Sequence, residues 1–174
     1  MISTTRHTLL AFATAALALT AASGVADESR FGARLSGASE LPEPRDTKAT
    51  GELEIVVSPD GQSLAYKLAV TNLANPASAD LHLGPATANG PLVVKLFPVH
   101  GATTRKGLVS GVLVEGRIVA EDLAGPMAGS AIDDLVEQIR DGNAYVNIHT
   151  SDGMDPPDSG PGDYRLGEIR GQIE

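Results

Sequence analysis

Two short stretches carry side chains that could hold a metal ion. Asp80 and His82 are two residues apart in one strand-like run, and Asn147 and His149 are two residues apart in another. Side chains at positions i and i+2 of a strand point to the same face of a sheet. Imidazole nitrogens and carboxylate oxygens are common ligands of transition metals. If the two strands are neighbours, Asp80, His82 and His149 are the predicted ligands, with copper or zinc as the metal.

A hydrogen-bonded polar cluster is the alternative interpretation of the same residues. Glu168 and Arg170 also share one face of a strand-like run, and Asn147 would join them in this cluster. A structural ion pair is the preferred interpretation of that spacing, either between Glu168 and Arg170 or from one of them across to a neighbouring strand. The sequence leaves open whether His82 and His149 bind a metal or only take part in the cluster.

The loop between the last two predicted strands is rich in acids. Its carboxylates are Asp152, Asp155, Asp158 and Asp163. Clustered carboxylates and loop carbonyls are the ligands of calcium, which makes this loop a second candidate cation site. The spacing matches no EF-hand loop and two prolines interrupt it, so a solvated acidic loop is the preferred interpretation.

Composition and missing motifs exclude several other functions. The chain has no cysteine, which rules out disulfides and thiolate chemistry, and its formal net charge is −9. An acidic chain lacks the basic footprint that nucleic acids and anionic lipid surfaces require. It contains neither a G-x-S-x-G nucleophile element nor a glycine-rich phosphate loop. A catalytic function is therefore not the preferred interpretation. The preferred interpretation is that the protein has no cofactor, with copper, zinc or calcium as the alternatives.

Alternating apolar and polar residues predict short strands along most of the chain. The predicted strands cover residues 31–35, 50–58, 63–70, 79–83, 91–98, 107–118, 144–150 and 166–173. The turn signal Pro59-Asp60-Gly61 predicts a hairpin between the second and third strands. Residues 72–78 are expected to form a short connection, and a turn or bulge is expected near Glu115-Gly116.

One helix is predicted, from Ser130 to Asp141. Ser130 is the expected N-cap, with Asp133 three residues on in the place of the usual capping-box glutamate. Gly142 suits the position after the helix. The apolar stripe at helical spacing consists of Ile132, Leu135, Val136 and Ile139. Many short strands with one helix predict a mainly β fold, an antiparallel Greek-key β-sandwich or barrel with one docked α-helix.

The N-terminus is predicted to be a secretory signal peptide covering residues 1–26. Arg6 and His7 precede an apolar segment at residues 8–20, and small residues follow it. The remainder, residues 27–174, should form one β domain without a membrane span after cleavage. We therefore expect a secreted, periplasmic or cell-surface protein.

Several motifs of the chain resemble the CHRD domain, a module described in chordin and also found alone in secreted bacterial proteins. The motifs are Phe31-Gly32-Ala33-Arg34-Leu35-Ser36-Gly37 with Glu40-Leu41-Pro42, Ala79-Asp80-Leu81-His82-Leu83-Gly84, residues 142–150, and residues 167–172. Asp80 replaces the first histidine of the family's H-x-H element, and the loop at residues 151–165 is longer and more acidic than usual. The resemblance implies a secreted or surface β domain and implies no reaction.

Two functions remain open from the sequence. The first is an exported, non-catalytic binding or structural module that recognises an unidentified protein or extracellular ligand. The second is a metal-binding protein or small metalloenzyme that uses His82 and His149, because the His82 strand distantly resembles that of copper-zinc superoxide dismutase. That enzyme has more histidines and a disulfide, which this chain cannot form without cysteine.

Overall fold

The computed structural model describes residues 29–98 and 106–174, and this part contains eight strands and one α-helix. Three short 3-10 turns, at Gly37–Ser39, Ala120–Asp122 and Gly125–Met127, lie outside the strands. The helix α1 spans Ile132–Arg140, between the sixth and seventh strands. The strands are β1 (Arg30–Ser36), β2 (Thr50–Val57), β3 (Leu64–Ala74), β4 (Pro76–Leu83), β5 (Leu92–Phe97), β6 (Leu108–Ile118), β7 (Ala144–Thr150) and β8 (Ile169–Gln172).

All eight strands belong to one antiparallel sheet in the order β5-β4-β7-β8-β1-β2-β3-β6. The two end strands, β5 and β6, contact each other without a hydrogen-bonded ladder, so the sheet curls into a nearly closed barrel. Strand β6 pairs with β3, and strand β7 pairs with β4. In each case two other strands lie between the partners in the chain. The predicted mainly β, antiparallel architecture with one helix is confirmed.

The apolar faces of the strands form one core inside this sheet. In β2, buried Leu53 and Ile55 alternate with exposed Glu52 and Glu54, as the sequence pattern predicted. Leu53 lies opposite Leu68 of β3, and the hairpin predicted at Pro59-Asp60-Gly61 is confirmed. Burial of these alternating apolar residues is the main force that holds the barrel together.

Helix α1 covers part of the core with one apolar stripe. All four predicted stripe residues are buried, and Gly142 has a φ of +66° directly after the helix. The predicted cap was wrong by one residue. The N-cap is Ala131, and its N–H donates to the carboxylate of Asp134 at 2.8 Å. An acid in the first turn thus takes over the capping role that was assigned to Ser130 and Asp133.

Two predicted boundaries inside the sheet were wrong, and one predicted irregularity was right. Residues 72–78 are not a connection, because β3 runs to Ala74 and β4 begins at Pro76, with only Asn75 between them at a φ of +46°. The bulge predicted near Glu115-Gly116 is confirmed, and it lies where Val112 and Val114 face consecutive residues of β3. Strand β8 is shorter than predicted and begins at Ile169.

The predicted signal peptide, residues 1–26, lies outside the described residues. In the part of the chain that is described, no helix is long and apolar enough to cross a membrane.

Candidate metal centre

Strands β4 and β7 are neighbours, which brings the predicted ligands onto one face of the sheet. Asp80 lies directly opposite Asn147, and His82 lies opposite Tyr145. His149 is two residues beyond Asn147 and therefore shares its face. The proximity of the two histidine-bearing strands was the condition on which the predicted site depended.

Asp80, His82 and His149 form a group in which one potential ligand atom from each lies within 4.8 Å of the others. His149 Nε2 is 3.8 Å from Asp80 Oδ2, and the centroids of the two imidazole rings are 6.4 Å apart. Asp80 Oδ2 also accepts a hydrogen bond from the Ser78 hydroxyl at 2.9 Å. The group therefore has the composition and the dimensions of a small-cation site.

Backbone carbonyls determine which nitrogen of each imidazole ring carries the proton. His82 Nδ1 is 3.0 Å from the carbonyl oxygen of Gly90, and His149 Nδ1 is 3.0 Å from that of Arg165. A carbonyl oxygen only accepts, so each Nδ1 carries the proton and each neutral ring keeps a lone pair on Nε2. Metal-bound histidines in proteins are oriented in the same way, by a hydrogen bond from the second ring nitrogen.

Two atoms of the group are buried without a hydrogen-bond partner, His82 Nε2 and Asp80 Oδ1. Buried polar atoms in proteins are nearly always paired, so unpaired ones need a physical explanation. Burial lowers the pKa of His82, and this effect outweighs the Gly90 carbonyl and Asp80, which raise it. The ring is therefore neutral at neutral pH, which leaves the Nε2 lone pair available to a cation.

The group lines an open groove. Leu92 of β5 and the start of the loop between β7 and β8 line the same groove. Apart from the three ligand candidates, the lining residues are Ala77, Ser78, Leu92, Thr150, Ser151 and Arg165. A metal held by the group would therefore be reachable from solvent.

Arg170 is almost completely buried and holds the loop between β4 and β5. Its guanidinium donates hydrogen bonds to Asn89 Oδ1 and to the carbonyls of Pro85 and Ala88, at 2.8 to 3.0 Å. It also lies over the ring of Tyr145. The same loop carries the Gly90 carbonyl, so Arg170 helps to position the acceptor of His82.

Glu168 is fully buried and holds the loop between β7 and β8. Its carboxylate accepts hydrogen bonds from the hydroxyls of Thr47 and Thr150, both at 2.6 Å, and from the Gly162 N–H at 2.8 Å. The predicted ion pair with Arg170 was wrong, because the two side chains have separate partners. Glu168 and Arg170 therefore act on the histidines only indirectly. Arg170 holds the loop that supplies the Gly90 carbonyl to His82, and Glu168 holds the loop that supplies the Arg165 carbonyl to His149.

Tyr145 links the two parts of the site. Its ring stacks on His82 with centroids 5.0 Å apart and planes inclined by 11°. Its hydroxyl accepts a hydrogen bond from the Gly90 N–H at 3.0 Å. The tyrosine thus supports the His82 ring and also fixes the residue whose carbonyl orients that ring.

Glu40 is a buried acid of this cluster that the sequence did not single out as a site residue. It is 2 % exposed, and burial raises its pKa to about 7, although Arg170, Arg45 and a hydrogen bond from Asn147 lower it. The one sequence signal was its place in the Glu40-Leu41-Pro42 motif. Strand alternation could not find it, because Glu40 lies in a loop.

The acids of the loop between β7 and β8 stabilise that loop itself. Asp152 and Asp158 accept hydrogen bonds from backbone N–H groups of the loop, and Asp155 and Asp163 each lie 3.7 Å from the Arg165 guanidinium. Among the described residues, these acids do not form a group at metal-ligand distances. The calcium alternative therefore lacks the clustered carboxylates on which it depended.

The fold and the site together define an antiparallel β-barrel domain with a solvent-accessible cluster of two histidines and an aspartate. The sequence profile of the CHRD domain matches residues 31–156, which is more than half of the chain. The protein therefore belongs to the CHRD domain family, as its motifs predicted. The match includes Asp80, His82 and His149 and ends before Glu168 and Arg170. No curated protein matches the chain.

Proposed function

We propose that this CHRD domain is an exported metal-binding module that holds zinc or copper through Asp80, His82 and His149. The observation that carries the proposal is the hydrogen bonding of the two imidazole rings. Both have Nδ1 at a backbone carbonyl, and His82 Nε2 is buried without a partner. A cation would supply the partner that the lone pair on His82 Nε2 lacks.

The nitrogen and oxygen ligand atoms of this group favour a transition metal such as zinc or copper. Imidazole suits zinc and copper, whereas magnesium and calcium prefer sites made of oxygen ligands. Three protein ligands leave at least one further coordination position, which another protein atom, water or an external group can occupy. The module would then bind its metal, or a partner through the metal, without needing a catalytic residue.

The test is a titration of the purified, chelator-treated protein, made without a histidine tag, with Zn²⁺ and with Cu²⁺. We expect one equivalent of metal to bind, and His82→Ala, His149→Ala and Asp80→Asn each to weaken binding at least tenfold. Asp60→Asn, in the turn between β2 and β3, is the matched control and should bind as the wild type does. Absence of metal binding by the wild type would refute the proposal. Wild-type affinity in both histidine variants would also refute it.

Export is the second part of the proposal, and the N-terminal sequence supports it. Arg6 and His7 followed by the apolar residues 8–20 are typical of a cleaved signal peptide. We expect the protein in the periplasm or medium to have lost about 26 residues by intact mass. Leu10→Arg, which places a charge in the apolar segment, should retain the full mass and stay in the cytoplasm. Full-length wild-type protein in the cytoplasm would contradict export.

A further inference from the structure

Asn147 lies among the metal-ligand candidates but has a different kind of side chain. It is 5 % exposed, it faces Asp80 directly across the β4–β7 ladder, and it shares a strand face with His149. Its amide oxygen Oδ1 is buried without a hydrogen-bond partner. Asp80 Oδ1 and His82 Nε2 are in the same condition. Three neighbouring residues therefore present lone pairs, and none of these atoms has a donor.

Glu40 determines which atom of the Asn147 amide remains without a hydrogen-bond partner. The amide donates a hydrogen bond to the Glu40 carboxylate, and only the Nδ2 end of an amide can donate. A Cβ placed on Gly167 would lie 2.7 Å from both Asn147 Nδ2 and Glu40 Oε2, which shows how closely the two groups approach this glycine. Because Nδ2 is hydrogen-bonded to Glu40, the amide oxygen Oδ1 is the atom that remains for a second interaction.

We infer that Asn147 Oδ1 is a fourth protein ligand of the metal held by Asp80, His82 and His149, and that Glu40 positions it. Amide oxygens accept cations, and zinc in proteins is most often four-coordinate. A cation would satisfy the lone pairs of Asn147, Asp80 and His82 at once, which no single hydrogen-bond donor could do. This inference rests on the proposed metal-binding function.

The experiment is a Zn²⁺ titration of Asn147→Leu and Asn147→Asp beside the wild type. Leucine has nearly the same shape as asparagine but no ligand atom, so we expect Asn147→Leu to bind Zn²⁺ about tenfold to a hundredfold more weakly. Aspartate keeps an oxygen at this position but lacks the donor to Glu40, so Asn147→Asp should bind Zn²⁺ more tightly than Asn147→Leu does.

The matched control is Gln172→Met on the adjacent strand β8. Gln172 Oε1 is also buried without a partner, while its Nε2 donates to the carbonyls of Gly84, Gly142 and Ala144. Gln172→Met should keep wild-type affinity for Zn²⁺. It separates a ligand from a buried amide that is only structural.

The outcomes distinguish the two proposals. If the wild type binds no Zn²⁺, or if its binding survives loss of both histidines, the proposed function fails. If binding depends on the histidines but Asn147→Leu binds like the wild type, only the role of Asn147 is overturned. Should Asn147→Leu fail to fold, Asn147→Ala takes its place, and wild-type affinity for Zn²⁺ in that variant would contradict a ligand role.

Discussion

The guanidinium carbon of Arg170 lies 3.6 Å from the centroid of the Tyr145 ring. Arg170 is 1 % exposed and Tyr145 is 2 % exposed, so this is a fully desolvated cation–π contact. The same guanidinium holds the loop whose Gly90 carbonyl orients His82. The stability of the domain and the geometry of the candidate metal centre therefore depend on one buried arginine.

Replacing Arg170 with methionine should destabilise the protein by about 3–5 kcal/mol. Methionine keeps much of the apolar stem, but it removes the guanidinium donor of the Ala88 carbonyl and one of the two donors of the Pro85 carbonyl, which keeps only the Ala88 N–H. Chemical denaturation measures the free energy of unfolding. Arg34→Met, at an exposed position of β1, is the control and should change it by less than about 0.5 kcal/mol. A loss below about 1 kcal/mol for Arg170→Met would mean that these hydrogen bonds add little.

Gly167→Ala should be more destabilising than Gly153→Ala. Both glycines have positive φ, +128° and +81°, so alanine is strained at both. Only at Gly167 would the new Cβ also lie 2.7 Å from Glu40 Oε2 and Asn147 Nδ2, whereas at Gly153 nothing lies within 4 Å. We expect a loss of about 1 kcal/mol for Gly153→Ala and of about 3 kcal/mol or more for Gly167→Ala. Thermal unfolding of the two variants gives the comparison, and equal losses would contradict the close packing at Gly167.

Glu40 should make the stability of the protein depend on pH. Its pKa is about 7 in the folded protein, against an ordinary value of 4.5, so the folded state binds this proton more tightly than the unfolded state does. The stabilising contribution is complete below about pH 4.5 and is lost as the pH rises through about 7, by up to about 3 kcal/mol.

The variant Glu40→Gln tests this pH dependence, because glutamine does not titrate. Between pH 5 and pH 8, the free energy of unfolding of the wild type should fall relative to that of Glu40→Gln. Glu54→Gln, at an exposed position of β2, should follow the wild type at both pH values. Parallel pH profiles of the wild type and Glu40→Gln would show that Glu40 titrates normally in the folded protein.

Leu135→Ala should cost about 2–5 kcal/mol of folding stability, because Leu135 is fully buried beneath helix α1. Glu137→Ala, on the exposed side of the same helix, is the matched control and should cost less than about 0.5 kcal/mol. Urea unfolding of both variants provides the measurement. Similar costs for the two would show that the helix is not docked through its apolar stripe.

The sequence alone predicted which side chains share a face. Asp80 and His82, Asn147 and His149, and the buried stripe of α1 were all found from spacing, because strand and helix periodicity are local properties of the backbone. The family motifs were equally readable, and the profile match over residues 31–156 confirmed the family, although the motif at residues 167–172 lies beyond that match. Local periodicity also explains the errors, since it could not show that Asn75 alone separates β3 from β4.

The tertiary structure decided how these faces are combined. The pairing of β4 with β7 joins segments that are far apart in the chain, and no local pattern encodes which strand lies beside which. The carbonyls of Gly90 and Arg165 set the histidine tautomers, yet every residue has a carbonyl, so composition cannot identify them. Glu40 joins the cluster only because a loop folds over the polar face, where burial changes its pKa. Residue types and faces follow from local geometry, whereas register, loop placement and burial depend on the packing of the whole barrel.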